Sequence, residues 1–462
     1  QKKGFKCFNL EPPNLVLHYC RFCQSDVLLQ LNWKLIFFQF PLQSSLCLVS
    51  LKLNRSPGCV SFRVGSERMM TADSESLLSL GEIQGRGRAL VASQPLKAGQ
   101  IVLKDSPILV YSALPLVRPQ SSASASYCDN CFRTLSSSAN VTSCPSCSHH
   151  HLFCSPDCLT MATAASHSTW VCQALSRLRD CPSLVPQPPE RQVQARFLIA
   201  AYNLALTSPG HFQVLLSLQG QGSPSDAPAV QFLHSLISSI CPPPLSLSIE
   251  LTAALLAKDK LNAFGLMAPI SLQQDGQRSV RAYGIYPKAS FFNHDCLPNA
   301  CRFDYLDSAP GQNTDITVRM IHDVPQGREI CLSYFPVNLN YYTRQKRLAE
   351  DYGFTCDCDR CKVEANWSDN EADVIDDNGN VEKEEVMDED SDEQMIASDT
   401  DGDAGGVDDF PHAYFFFRYM CSHENCWGTL APLPPSDDAS SKVLECNVCG
   451  NLKNDIDRKD QK

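Results

Sequence analysis

Ser290–Phe303 reads SFFNHDCLPNACRF and sets Asn293, His294, Asp295 and Cys296 side by side. Such side chains could ligate a metal, move a proton or bind a polar ligand. The other cysteines narrow the choice. From Tyr127 to Cys172 they fall in pairs: Cys128-x2-Cys131, Cys144-x2-Cys147, Cys154-x3-Cys158 and His167-x4-Cys172. Short spacings let one turn present two ligands to one ion, and four pairs suffice for two tetrahedral zinc ions. So short a block buries little core, so metal would supply its folding energy. His149, His150 and His151 are rival ligands but read as a surface loop. Further on, Cys356-x-Cys358-x2-Cys361 offers three thiolates and needs a fourth, which Cys296 can supply. A shell of four thiolates leaves no place for a catalytic water, so that metal would be structural. Asp295 is assigned no chemistry, and Pro298 and Asn299 are read as fixing the turn.

Other segments must position these groups. The chain has 462 residues, long enough for two to four domains, and 43% hydrophobic with 19% charged residues describes a soluble globular protein with some non-globular sequence. Its 24 Cys, spaced as metal pairs, favour a reducing compartment. The net charge of −12 is local: Asn366–Asp409 holds 18 acidic residues and one Lys, and the remainder carries 38 Lys and Arg against 33 Asp and Glu. The body is therefore mildly basic, which permits an acidic partner without demanding one. Residues 77–112 alternate short apolar runs with turns and read as strands. PQSSASAS is a linker. Residues 190–262 carry helical apolar spacing, and Phe264–Tyr334 returns to short strands and turns. Gly85 and Gly87, in EIQGRGRAL, sit where backbone could closely approach a ligand. Tyr334, in CLSYF, ends a strand with an aromatic hydroxyl. Residues 1–69 read as sequence upstream of a natural start at Met70, with a disordered extension or a membrane anchor as alternatives. The apolar run there is broken by Pro41 and falls short of the roughly 20 residues of a membrane helix.

In combination these features resemble a SET domain of the SET-and-MYND class, over roughly residues 77–362. The last block, FPHAYFFFRYMCSHENCWGTLAPLPP, is similar to the short plant members, described as histone-lysine methyltransferases. The resemblance implies an α+β fold: a β-rich SET domain split by a MYND zinc finger and a helical insert, with a post-SET zinc site and a small C-terminal zinc-ribbon-like block. The implied boundaries are 77–120 for the N-terminal SET segment, 127–172 for the finger, 190–262 for the insert, 263–335 for core SET and 336–362 for post-SET. An acidic linker at 366–409 and the ribbon-like block at 410–451 follow. MYND fingers bind zinc with interleaved pairs. That implies Cys128, Cys131, Cys154 and Cys158 on one ion, and Cys144, Cys147, His167 and Cys172 on another. Cys421, Cys426, Cys446 and Cys449 resemble a zinc ribbon and would hold a fourth ion, with YFFFRY as its core strand.

The resemblance also assigns S-adenosylmethionine to Gly85, Arg86, Gly87, Asn293 and His294, with Asn262 beside it and Phe354 on its adenine. Tyr334 would line the lysine channel as the catalytic residue, with Tyr283 and Tyr286 as further walls. The partners implied are a lysine-bearing protein such as a histone tail and proline-containing peptides at the finger. Membrane and specific nucleic-acid binding are not expected. The spacings match no base-reading finger, and no Lys/Arg stripe appears. The setting would be chromatin in the nucleus, with the cytoplasm as a second location.

Methyl transfer to an amine is a direct displacement, so the lack of a Ser-His-Asp arrangement is no objection. It needs alignment at roughly 3–3.5 Å and a lysine deprotonated from a pKa of about 10.4. A narrow apolar channel disfavours the ammonium. A tyrosine is a poor base at neutral pH, so positioning and electrostatics should carry the reaction, with solvent taking the proton. The competing reading is a non-catalytic zinc-dependent adaptor that recruits partners through its finger. The acidic segment reads as a disordered spacer, with attraction of a basic partner, regulated at Ser391 or Ser398, as its sharper alternative.

Overall fold

Alternating apolar residues around a tight turn pair Leu78–Ile83 (β1) with Gly87–Ala92 (β2). The turn is possible because Gly85 and Gly87 adopt positive φ, 77° and 74°. The structure, a computed structural model, describes residues 76–116, 126–135, 141–147, 150–222, 227–242, 247–269, 279–307, 313–366, 413–423, 426–435 and 441–455. The readings of residues 1–69, of Met70, of the Ser-rich linker and of the acidic segment with Ser391 and Ser398 lie outside the described residues.

Two strands follow, Ile101–Asp105 (β3) and Leu109–Ser112 (β4). Next come two small hairpins, Ser126–Tyr127 (β5) with Thr134–Leu135 (β6), and Thr142–Ser143 (β7) with Leu152–Phe153 (β8). Pro156–Ala164 (α1) and Thr169–Arg179 (α2) close this block. Ser155 caps α1 by accepting from the Cys158 amide, and Pro156 stands where a missing N–H is harmless. The helical segment comprises Pro189–Thr207 (α3), Pro209–Ser217 (α4), Ala227–Ser238 (α5) and Ile249–Asn262 (α6). Its core gathers Phe197, Tyr202, Leu215, Leu233 and Leu255.

The chain then re-enters the β region with Ala263–Met267 (β9), Val280–Ile285 (β10), Asn293–His294 (β11), Ala300–Phe303 (β12), Ile316–Met320 (β13) and Cys331–Leu332 (β14). Late strands pair with early ones: β10 lies between β4 and β9, and β13 between β3 and β12. Everything from β5 to α6 is thus inserted between sheet neighbours. Leu266, Ala282, Val318, Met320 and Ile330 form the second core, where strand alternation points them inward. Short helices Tyr341–Arg347 (α7) and Asp359–Glu364 (α8) follow. The last described part is Ala413–Tyr419 (α9) and a sheet of Leu430–Pro432 (β15), Val443–Cys446 (β16) and Leu452–Asn454 (β17). Among the described residues no helix is long and apolar enough to cross a membrane.

YFFFRY is therefore a helix and not the expected core strand. Phe415 and Tyr419, four apart, meet in a tilted arrangement with ring centroids 5.5 Å apart and pack on Cys301, Phe303 and Ile321, while Phe417 stays exposed. A strand would bring alternate residues to that surface; a helix brings residues four apart.

Asp259 on α6 is buried and accepts a hydrogen bond from the Tyr111 hydroxyl. Burial raises its carboxyl to about 7, against about 3.9 in an unfolded chain. The folded state holds a proton that the unfolded state releases. This group's contribution to stability is full below the unfolded pKa and lost as pH rises through the folded one. In Asp259→Asn that dependence is absent. The wild-type-minus-variant unfolding free energy should fall from about pH 4 to about pH 7 and then level off. A difference independent of pH, measured by denaturant melts at matched zinc content, would contradict the assignment.

Candidate active site

Among the described residues four clusters of ligand side chains form: Cys128, Cys131, Cys154, Cys158; Cys144, Cys147, His167, Cys172; Cys296, Cys356, Cys358, Cys361; and Cys421, Cys426, Cys446, Cys449. Within each, the ligand atoms lie within 4.8 Å of one another. Tetrahedral thiolates on zinc at about 2.3 Å would stand about 3.8 Å apart. Observed sulfur separations are 3.7 Å for Cys131–Cys154, 3.8 Å for Cys144–Cys172, 3.5 Å for Cys296–Cys361 and 3.6 Å for Cys426–Cys446. No disulfide joins them. The donor sets therefore fit zinc. His151 is not the surface-loop residue expected: it pairs with Asp129 at 3.3 Å and packs on the ring of His167 at 4.6 Å.

The cluster of Cys296 is tied to the rest of the site by two side chains. Arg344, fully buried, directs Nε to the Cys296 sulfur at 3.2 Å and pairs with Glu364. It supplies positive charge where four thiolates would gather negative charge. His294 bridges in the other direction. Its Nδ1 accepts from the Tyr334 amide at 3.1 Å, so Nε2 carries the hydrogen toward the Cys296 sulfur at 3.3 Å. Burial lowers the pKa of this imidazole to about 3 and keeps it neutral.

Beside this cluster lies a cavity of about 380 Å³, within the usual range for small-molecule sites. Gly85, Arg86, Gly87, Asn262, Asn293, His294 and Phe354 all line it. A Cβ at Gly85 or Gly87 would meet open space, so it is the positive φ that favours glycine at both positions. The Arg86 guanidinium turns away to Glu329 at 3.0 Å and to the His294 carbonyl at 2.7 Å. Asn293 Nδ2 donates to the same Glu329 at 2.8 Å. Asn262 Nδ2 is engaged by the carbonyls of Gln219 and Lys258, so the residue acts as a fixed wall. Phe354 is partly exposed, its ring available to a flat ligand.

A second cavity, about 320 Å³, lies against the first. Leu261, Asn262, Ser290, Tyr334 and Tyr352 line both. Tyr334 is thus a shared wall. Its hydroxyl donates to the Phe292 carbonyl at 2.9 Å, its ring packs on Tyr352 at 4.8 Å, and burial raises its pKa, so it stays neutral.

Tyr283 and Tyr286 line neither cavity, correcting their expected place as channel walls. Tyr286 is wholly buried and donates to the Thr314 carbonyl, while Tyr283 stacks on Tyr111 at 5.6 Å. Glu329, Arg344 and Tyr352 went unnoticed in the sequence. Only Tyr352 left a signal there, as one of two aromatics flanking Gly353 just before the cysteine cluster.

Tyr334 thus stands between two cavities, beside a four-cysteine cluster on a strand-rich core. The SET domain family matches residues 87–335, and the chain belongs to it. Histone-lysine N-methyltransferase ASHR2 of Arabidopsis thaliana is 59% identical over 406 residues, which covers 83% of this chain and 97% of that protein. Histone-lysine N-methyltransferase ASHR1, also of Arabidopsis thaliana, is 24% identical over 296 residues, 62% of this chain and 55% of that protein. The solved SET domain of LSMT bound to lysine and AdoHcy aligns over 62% of this chain and 54% of that one, at 14% identity and a TM-score of 0.28.

Proposed function

We propose that this chain is an S-adenosylmethionine-dependent protein-lysine N-methyltransferase, acting on histones as ASHR2 is named for. The observation that carries the reading is the pair of cavities meeting at Tyr334. S-adenosylmethionine, when bound, supplies an electrophilic methyl group. Gly85, Arg86 and Gly87, with Asn293 and His294, form the rim that would hold it, and Phe354 would cover its adenine. The lysine side chain would enter from the second cavity. The apolar surroundings of Phe264, Phe292 and Phe335 disfavour an ammonium there. Tyr334 orients the amine; being neutral with a raised pKa, it is no base, and the proton leaves to solvent. The block of residues 127–172 is read as a MYND-type finger that docks peptides, and Cys296 with Cys356, Cys358 and Cys361 as a structural post-SET zinc site. The setting proposed is nuclear chromatin.

The test is direct. Zinc-replete full chain, labelled S-adenosylmethionine and core histones should yield methyl-lysine detectable by mass spectrometry. Failure of the zinc-replete chain to bind S-adenosylmethionine at all would replace this reading with the adaptor.

A further inference from the structure

The lysine-side cavity is not built by the SET core alone. Trp427, Thr429, Asn447 and Val448, from the C-terminal four-cysteine block, line it together with Phe264 and Met267. All four lie between or beside the cluster's ligands: Trp427 follows Cys426, and Asn447 and Val448 separate Cys446 from Cys449. We infer that this block is the substrate-selecting wall of the site, with Trp427 and Val448 reading an apolar side chain next to the target lysine. The inference rests on the methyltransferase reading and deepens it.

Three observations carry it. The block is held firmly against the core. Arg319, buried, pairs with Glu445 at 2.9 Å and lies over the Phe303 ring at 3.9 Å. Asn447 Nδ2 donates to the Arg302 carbonyl at 3.1 Å. At Gly99, φ is +79° and a Cβ would stand 2.3 Å from the Leu433 carbonyl oxygen, so the turn before β3 touches the block backbone to backbone. Second, Trp427 keeps 53% of its surface exposed although its neighbours Thr429 and Leu430 are buried. An indole left open at the mouth of a cavity is unlike one that packs a core. Third, the charged groups at this mouth are already engaged. Asp304 accepts from the Met267 amide at 2.9 Å, and Arg302 donates to the Gly265 carbonyl at 2.8 Å. Beside them the mouth offers a neighbouring residue of the substrate the apolar surface of Trp427, Val448, Phe264 and Met267.

The experiment uses full-length chain with verified zinc content and a library of ten-residue peptides, each with one central lysine and varied flanking residues. Wild type should prefer apolar over polar flanks by about tenfold in kcat/KM, the scale of apolar pocket discrimination. Trp427→Ala and, independently, Val448→Ser should each reduce that preference while S-adenosylmethionine affinity stays at the wild-type value. An unchanged flank preference in both variants, with methylation intact, overturns the inference and leaves the enzyme reading standing. Binding of the same peptides is measured separately by fluorescence anisotropy. If no peptide is methylated but apolar-flanked ones bind in a Trp427-dependent way, the enzyme reading fails and the wall stands. The absence of both methylation and selective binding overturns the wall.

Discussion

Tyr334→Phe is expected to slow lysine methylation by about 10²-fold, with S-adenosylmethionine binding left close to wild type. The substitution keeps the ring that packs on Tyr352 and removes only the hydroxyl that donates to the Phe292 carbonyl. That oxygen is the polar atom Tyr334 brings to the junction of the two cavities. Without it the amine is still desolvated but no longer held at a fixed angle, and loose alignment is where a displacement reaction loses most rate. Because the hydroxyl is not a base, the pH profile of the residual activity should keep its shape. A variant that methylated at the wild-type rate, in single-turnover kinetics, would remove Tyr334 from the mechanism.

Cys296→Ser is expected to lower zinc content by one ion per chain in native mass spectrometry and to bring methylation to background. Serine preserves size but is a weak zinc ligand at neutral pH, so the effect should exceed the roughly 10–100-fold loss typical of changes outside the coordination shell. Two consequences follow from contacts already in place. Arg344 loses the nearest of its sulfur acceptors in a fully buried position. His294 loses the group at Nε2 that orients its ring, and with it the acceptor that holds the Tyr334 amide. The variant should therefore show weakened donor binding as well as lost chemistry, while the two ions between Cys128 and Cys172 remain. Activity unchanged after verified loss of that ion would break the proposed link between metal and channel.

How much of this was legible in the sequence depended on the range of the interaction. The cysteine sets could be read because ligands for one ion come in short pairs, and three of the four sets consist of such pairs. The remote Cys296 was found only because Cys356, Cys358 and Cys361 were one ligand short. The insert helices were visible because a helix repeats its apolar face within a few residues. YFFFRY carries no period because it is an unbroken aromatic run; the surface offered by Cys301, Phe303 and Ile321 decides it, and those residues lie about 90 to 120 positions away. Tyr286 failed for a similar reason: nothing local distinguishes a phenol that finds the Thr314 carbonyl from one that lines a channel. Glu329 and Arg344 owe their roles wholly to partners that the fold brings to them, Arg86 and Asn293 for one and the Cys296 sulfur for the other.

The pairing of β3 with β13 sets an order on how the chain assembles. Asp105 stands opposite Ile316, roughly 210 residues later, and Ala282 opposite Ser112. As the chain leaves the ribosome, the cysteine-paired block and helices α3–α6 can form from local contacts, while β3 and β4 wait without their sheet neighbours. Closing so long a loop is slow and leaves two apolar strand edges bare meanwhile. Fragments ending before Met320 should accordingly be the aggregation-prone species during synthesis.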